Sequence, residues 1–334
     1  MTSFRKPDAA RLCAGAALVT ALAGALAPGA AQAQRYDHTP ACDRDCLVGH
    51  LDAYLAAQAA HDASALPFAD DVKMTENGLA TAPGEDSFET LGETTFRLDI
   101  ADPEMGQVAS NMVVREGEGY AFQMLRLKVE DGQIAEVETI IGREGESGPM
   151  FVPDFATEPQ REFQLTLIPS DQNSRLELLA AADAYWYALE TNGEPEYRPA
   201  PLLPGAIRIE NGLPTTNGSQ PETMGSNTPS GAGGSSAAQQ FDTGMFVSRT
   251  IYDRRFPVVD VERGVVLSIA RMGIEPDYDL PAHWQGGRPV LAEMFAIQKG
   301  KITAINVVMK STIPVDQDMG WPRDPLALSK SDPN

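Results

Sequence analysis

The chain has 334 residues, 26 Lys and Arg against 47 Asp and Glu, a formal charge of -21, and 43% hydrophobic residues. That length suits one large domain or two of about 150 residues; the apolar content excludes a disordered chain, and three cysteines exclude a disulfide-stapled scaffold. So acidic a chain repels nucleic acid and anionic lipid, and three cysteines with four histidines leave little material for a thiolate or imidazole metal centre.

Arg5, Lys6 and Arg11 precede an uncharged, alanine-rich run from Leu12 to Ala27, and Ala31-Gln32-Ala33 supplies small residues for cleavage. The pattern predicts a secretory signal over residues 1–33. The run falls short of the ~20 residues that span a bilayer, so a cleaved signal is expected over an uncleaved anchor, with a periplasmic or secreted product. Cys42 and Cys46 stand four apart at the start of a helical pattern, and an exported compartment permits a disulfide between them.

From His50 the pattern is helical, followed by a short second helix after His61-Asp62, a strand ending in Glu76, and a turn at Asn77-Gly78. Leu127-Lys-Val129 and Ile134-Ala-Glu-Val137 flank Asp131-Gly132, a hairpin signal. The series then repeats. Asp52-Ala-Tyr54 matches Asp183-Ala-Tyr185 at an offset of 131, Glu76-Asn-Gly-Leu79 matches Glu210-Asn-Gly-Leu213 at 134, Asp102 to Gly106 matches Asp260 to Gly264 at 158, and Leu127 to Val137 matches Phe295 to Ile305 at 168. Four anchors in one order predict a duplication. The jump from 134 to 158 places an insertion at 216–240. The units are expected at 44–145 and 172–312, joined by a proline-punctuated linker, 146–171, with one edge strand at Phe163 to Leu167. A tail, 313–334, is expected to wrap the surface. Helices followed by antiparallel strands predict an α+β fold in which each unit curls its sheet into a cone.

The helix with His61-Asp-Ala-Ser-Ala-Leu-Pro67-Phe-Ala-Asp-Asp-Val72, Thr75-Glu-Asn-Gly78, and the run ending Val129-Glu-Asp-Gly132-Gln-Ile134 resemble the NTF2-like (SnoaL-like) family. The resemblance covers nearly all of residues 44–312 as two tandem NTF2-like cone-shaped domains. More narrowly, the paired Glu-Asn-Gly segments with Asp253-Arg-Arg-Phe-Pro-Val-Val-Asp260 look like a bacterial and fungal tandem group. The superfamily includes cofactor-independent isomerases, dehydratases, polyketide cyclases, epoxide hydrolases and carbon-carbon lyases, besides proteins that only bind or dimerise. The most concrete activity the resemblance implies is release of formaldehyde from lignin-derived diaryl compounds.

Candidate chemistry begins at Glu293. Read with period two, Leu291, Glu293, Phe295 and Ile297 share one face, so an acid sits among apolar neighbours. Burial there would raise its pKa and suit it to general acid or base work; the alternative is an ion pair with Arg271 or Arg249. Tyr54, Gln58 and His61 share a helix face, where Tyr54 offers a phenolic donor and His61 a proton near neutrality; packing and helix termination are the plainer roles. Glu76 precedes a turn that does not need it, which leaves it free to face the cone mouth. Arg97, matched by Arg255, suits a carboxylate or phenolate clamp or an interdomain salt bridge.

The leading expectation is a cofactor-free lyase on a small apolar or aromatic molecule. Glu293 or Glu76 takes a proton from a primary hydroxyl, and Tyr54 or Arg97 stabilises the departing oxygen. An isomerase or a dehydratase or cyclase of the SnoaL-like type, or a periplasmic binding protein without turnover, are the alternatives. No cofactor and no metal are expected, since HxH, HExxH and phosphate-loop patterns are missing from the sequence. Nucleic acid and, after signal cleavage, membrane are not expected partners; a second copy of the chain is left open.

Overall fold

The computed structural model describes residues 40–146, 150–156, 158–217, 234–274, 288–314 and 316–323. The expected signal over 1–33 and the body of the expected insertion, 218–233, lie outside them.

Helix α1 (Arg44–Ala59) starts where the Asp43 side chain accepts the Cys46 N–H at 3.0 Å. Cys42 and Cys46 are bonded across this first turn, with Cα atoms 5.3 Å apart. The helix presents Leu47, Leu51, Tyr54, Leu55 and Gln58 inward. His61, at φ 53°, ends it, and turns lead to Pro67, so the short second helix does not form. Helix α2 (Arg175–Glu190) repeats the plan with a Ser174–Glu177 capping box.

Each helix covers a six-stranded sheet. The first has the order β2 (Leu79–Ala80), β1 (Phe68–Glu76), β6 (Gln133–Gly142), β5 (Gly119–Glu130), β4 (Gln107–Glu116), β3 (Leu91–Asp102). The second repeats it as β8 (Leu213–Pro214), β7 (Leu202–Glu210), β12 (Lys301–Ile313), β11 (Arg288–Gln298), β10 (Val265–Ile274), β9 (Arg249–Asp260). The pairs β1/β6 and β7/β12 are parallel and the other pairs antiparallel. Asn77 and Gly78, then Asn211 and Gly212, all take positive φ, as a tight hairpin turn requires. Each asparagine Oδ1 also accepts an N–H from the neighbouring strand, Ile141 or Met309, at 2.9 Å.

The sheets are open. Each runs from one edge strand to another without pairing of the edges, so the expected cone-shaped, NTF2-like (SnoaL-like) domains are corrected to two sheet-and-helix modules whose sheets neither curl nor close. The physical reason is filling. On the face that a cone would leave hollow, Leu51, Tyr54 and Leu55 pack into the first sheet, and Tyr185, Trp186 and Leu189 into the second. The opposite faces pack on each other, with Leu98, Ile100, Val113 and Met124 against Val258, Leu267, Ala292 and Met294. Both faces of both sheets are therefore buried. The expected edge strand at Phe163 to Leu167 is also corrected: a 3-10 turn occupies Arg161–Phe163 and takes up the Phe163 and Gln164 N–H groups that a ladder would need.

At the junction the repeat closes on itself. Arg44 donates to Asp260 at 2.6 and 2.9 Å, and Asp260 also accepts the Ala101 N–H at 3.0 Å. Arg175, the repeat equivalent of Arg44, donates to Asp102 at 2.5 and 3.0 Å, and Asp102 accepts the Val259 N–H at 3.0 Å. Arg255 bonds Glu138 of the first module through both terminal nitrogens. The tail lies along β1, where Gln317 donates to the Asn77 carbonyl at 2.6 Å and the Trp321 indole to Thr75 at 2.8 Å. No helix among the described residues is long and apolar enough to cross a membrane.

Replacing Asp260 with Ala leaves Arg44 only its 2.7 Å Nε bond to the half-exposed Glu262 and strands the buried Ala101 amide, so a loss of ~3 kcal/mol is expected in urea unfolding. Arg97→Ala, which removes a pair whose partner Asp52 is 57% exposed, is expected to cost about 1 kcal/mol or less in the same measurement.

Candidate functional site

In the second module strand β11 alternates as period two requires. Leu291, Phe295 and Ile297 turn to α2, while Ala292, Met294 and Ala296 turn to the other sheet. Glu293 is therefore on the helix side, 2% exposed, opposite Ser268 in the ladder, and its Oε2 has no hydrogen-bond partner among the described residues. Burial pushes its carboxyl up to about 8, with the charge of Glu210 adding to the effect and that of Arg208 opposing it.

Arg208 organises the surroundings. From β7 its Nε donates to Thr215 Oγ1 at 3.0 Å, Nη1 to the Tyr185 hydroxyl at 3.1 Å, and Nη2 at 2.6 Å to Gln240 on helix α3 (Ala237–Asp242). Glu210, two residues along the same strand face, pairs with it at 3.3 Å. Burial opposes the charge of Arg208, but Glu210, Tyr185 and Glu293 outweigh it and raise the pKa. Burial, then the field of Glu293, raises the Tyr185 phenol, which stays protonated. Tyr185 and Trp186 pack on Phe295, their centroids 5.0 and 6.1 Å away, and Trp186 donates to Ser268 at 2.7 Å. A phenol, a guanidinium and a carboxylic acid thus meet in an aromatic shell, held by two helices and two strands.

The first module lacks this chemistry at the same register. Met74 pairs with Val137 as Arg208 pairs with Ile305, and Leu125 faces Ser110 as Glu293 faces Ser268. Two charged positions are apolar there. Tyr54 meets Phe88 edge-on at 5.6 Å, and Gln58 and Gln123 close the face by exchanging hydrogen bonds of 3.2 and 3.0 Å.

Three sequence candidates converge on the 3-10 turn at Asp86–Glu89: Tyr54 through Phe88, His61 through an Nδ1 contact of 3.0 Å to the Phe88 carbonyl, and Glu76 by accepting the Ser87 N–H at 3.0 Å. Arg97 stands apart, paired with Asp52 at 2.6 Å and Asp99 at 2.7 Å, and Glu293 is in the other module. Glu293 makes no ion pair among the described residues; Arg271 pairs instead with Asp253 at 2.6 Å. The sequence reading passed over Arg208 and Gln240. Arg208 carried a signal, a cation two residues before Glu210 on a strand facing a helix, whereas nothing local marks Gln240. Cys42, Cys46 and His50 offer ligand atoms within 4.8 Å of one another, but the disulfide occupies both sulfurs.

The model of the family described as Domain of unknown function (DUF8021) matches residues 41–141 and 171–309, one segment in each module. The chain belongs to that family. No curated protein matches it. Among solved structures it is similar to a steroid delta-isomerase from Pseudomonas aeruginosa, at 16% identity over 31% of this chain and 84% of that one, with a TM-score of 0.26. It is likewise similar to a de novo designed protein with a curved β-sheet, at 11% identity over 30% and 89%, also at 0.26. Likeness at that level carries no argument about what this DUF8021 member does.

The Glu293 site has a stability signature. Its carboxyl sits at about 8 when folded and near the ordinary 4.5 when unfolded, so between those values the folded chain holds more protons, and its contribution to stability falls as pH rises. Urea unfolding of Glu293→Gln is expected to show a stability gain over the native chain that grows from about pH 5 to about pH 8 and then levels off. A gain independent of pH would mean that the carboxyl titrates normally.

Proposed function

We propose that this DUF8021 protein is a cofactor-independent acid–base catalyst of the isomerase or dehydratase type, with Glu293 as its proton donor. The carrying observation is the buried, unpartnered carboxyl of Glu293 beside Tyr185 and Arg208. An acid that stays protonated at neutral pH can deliver a proton to a substrate oxygen or carbon. Tyr185 and Arg208 would stabilise the oxyanion that develops when a carbonyl enolises, and Glu210 would take the proton from carbon. The aromatic shell suits a small apolar or aromatic molecule. The signal pattern of residues 1–33 and the Cys42–Cys46 bond support action outside the cytoplasm.

One observation favours binding without turnover as the second reading: two cavities of about 560 and 320 Å³ bounded by described residues are lined by neither Glu293 nor Tyr54. Deuterium exchange separates the two. A panel of cyclic enones and β-hydroxy ketones in deuterium oxide, followed by NMR, is expected to include a compound that the protein exchanges or converts. Glu293→Gln should then cut that rate roughly 100-fold with the fold intact. Unaltered exchange in the variant would remove Glu293 from the chemistry, and inertness toward the whole panel would favour the binding reading.

A further inference from the structure

Helix α1 opens on three metal-ligating side chains, each one turn from the next. Cys42 precedes the Asp43 cap, Cys46 lies in the first turn and His50 in the second, and the i, i+4, i+8 spacing sets them along one side of the helix. Their ligand atoms fall within 4.8 Å of one another, and the Cα atoms of the two cysteines are 5.3 Å apart. Two ligand atoms of a tetrahedral zinc ion stand about 3.5–3.8 Å apart, so the three positions suit one such ion once the sulfurs are parted.

A structural role alone explains the bond poorly. Loop closure contributes least for the shortest loops, and this one spans a separation of four residues. Hydrogen bonds already close it: Asp43 accepts the Cys46 N–H at 3.0 Å through its side chain and the Leu47 N–H at 2.9 Å through its carbonyl. The bond is also within reach of a reductant, because Cys42 is buried but Cys46 is exposed. At the start of a helix the backbone dipoles favour a thiolate. Arg44, which bonds Asp260 across the junction, stands between the two cysteines in the chain, so whatever joins them also steadies the donor of that contact.

We propose that a dithiol opens the Cys42–Cys46 bond and that the two thiolates, with the His50 imidazole, then hold a zinc ion that closes the first turn again. The incoming thiolate attacks Cys46 Sγ, Cys42 leaves as a thiolate, and the second sulfur of the dithiol displaces Cys46. Two electrons pass to the pair, and the dithiol is oxidised to its own disulfide. The ion binds both sulfurs as thiolates, their protons go to solvent, and a water completes the tetrahedron. This site is independent of Glu293 and stands or falls separately from it.

The test uses the full chain carrying Cys13→Ser, which leaves Cys42 and Cys46 as its cysteines. It is reduced with excess dithiothreitol and freed of the reductant under argon. Zinc is then titrated in competition with a chromophoric chelator, and cobalt(II) serves as the spectroscopic probe. One zinc per reduced chain is expected and none per oxidised chain, and cobalt should show thiolate charge-transfer absorption in the near ultraviolet with tetrahedral bands in the visible. Zinc should raise the melting temperature of the reduced chain, and His50→Ala should weaken its binding roughly tenfold or more. Three results would overturn the proposal: a bond that survives excess dithiothreitol in the folded chain, zinc affinity no greater than that of the Cys42→Ser, Cys46→Ser double variant, or equal affinity in His50→Ala.

Discussion

Asp102 and Asp260 each accept a guanidinium and a backbone amide from the opposite module, and the relation of the two halves depends on that exchange. Apolar faces such as those of Leu98, Val113, Leu267 and Met294 attract without regard to small offsets. A buried carboxylate is less tolerant. Sliding one sheet by a residue would separate it from both donors and leave a charge in a low-dielectric interior, a far larger penalty than a change in apolar contact. Because Arg44 and Arg175 begin the two helices, the same bonds also fix each helix against the sheet of its neighbour, and the duplicated sequence meets itself with matching atoms.

The repeat has diverged where packing allowed. Tyr54 and Tyr185 occupy equivalent places, yet one sits beside Met74 and Leu125 and the other beside Arg208 and Glu293. A buried arginine and acid cost desolvation and contribute less to stability than Met and Leu of similar size. The first module therefore has the arrangement expected where stability alone is at stake, including a reciprocal Gln58–Gln123 pair that satisfies its own polar groups. The second retains an acid that its surroundings do not neutralise. That buried acid, with no hydrogen-bond partner at Oε2 among the described residues, is what sets the second module apart from the first.

Much of this was legible in the sequence, and the limits are physical. The four repeat anchors fall in equivalent places in the strand order, and the two Asn-Gly turns and the i, i+4 cysteines report local geometry that a few residues determine. Period two put Glu293 on one face with Leu291, Phe295 and Ile297 because alternation belongs to the strand itself. Curl does not. Whether a sheet closes depends on which strands form its edges and on what fills its hollow, and the parallel pairing of β1 with β6 leaves no mark in either strand alone. The same applies to Arg208, whose partners come from positions 185, 210, 215 and 240.

Arg255 exposes the sharpest limit of repeat reasoning. It matches Arg97 in sequence, but Arg97 lies at the surface with Asp52 and Asp99, whereas Arg255 crosses the junction to Glu138. Equivalent positions in a tandem repeat see different surroundings once one module's face becomes the other's wall. Burial raises the carboxyl of Glu138, and the charges of Arg255 and Arg126 overcome that effect and leave it low, whereas burial pushes the carboxyl of Glu293 up. Two buried glutamates about equally removed from water thus shift in opposite directions, decided by whether guanidiniums reach them. The Arg255–Glu138 pair exists only because the modules dock, while Glu293, Tyr185 and Arg208 all belong to the second module.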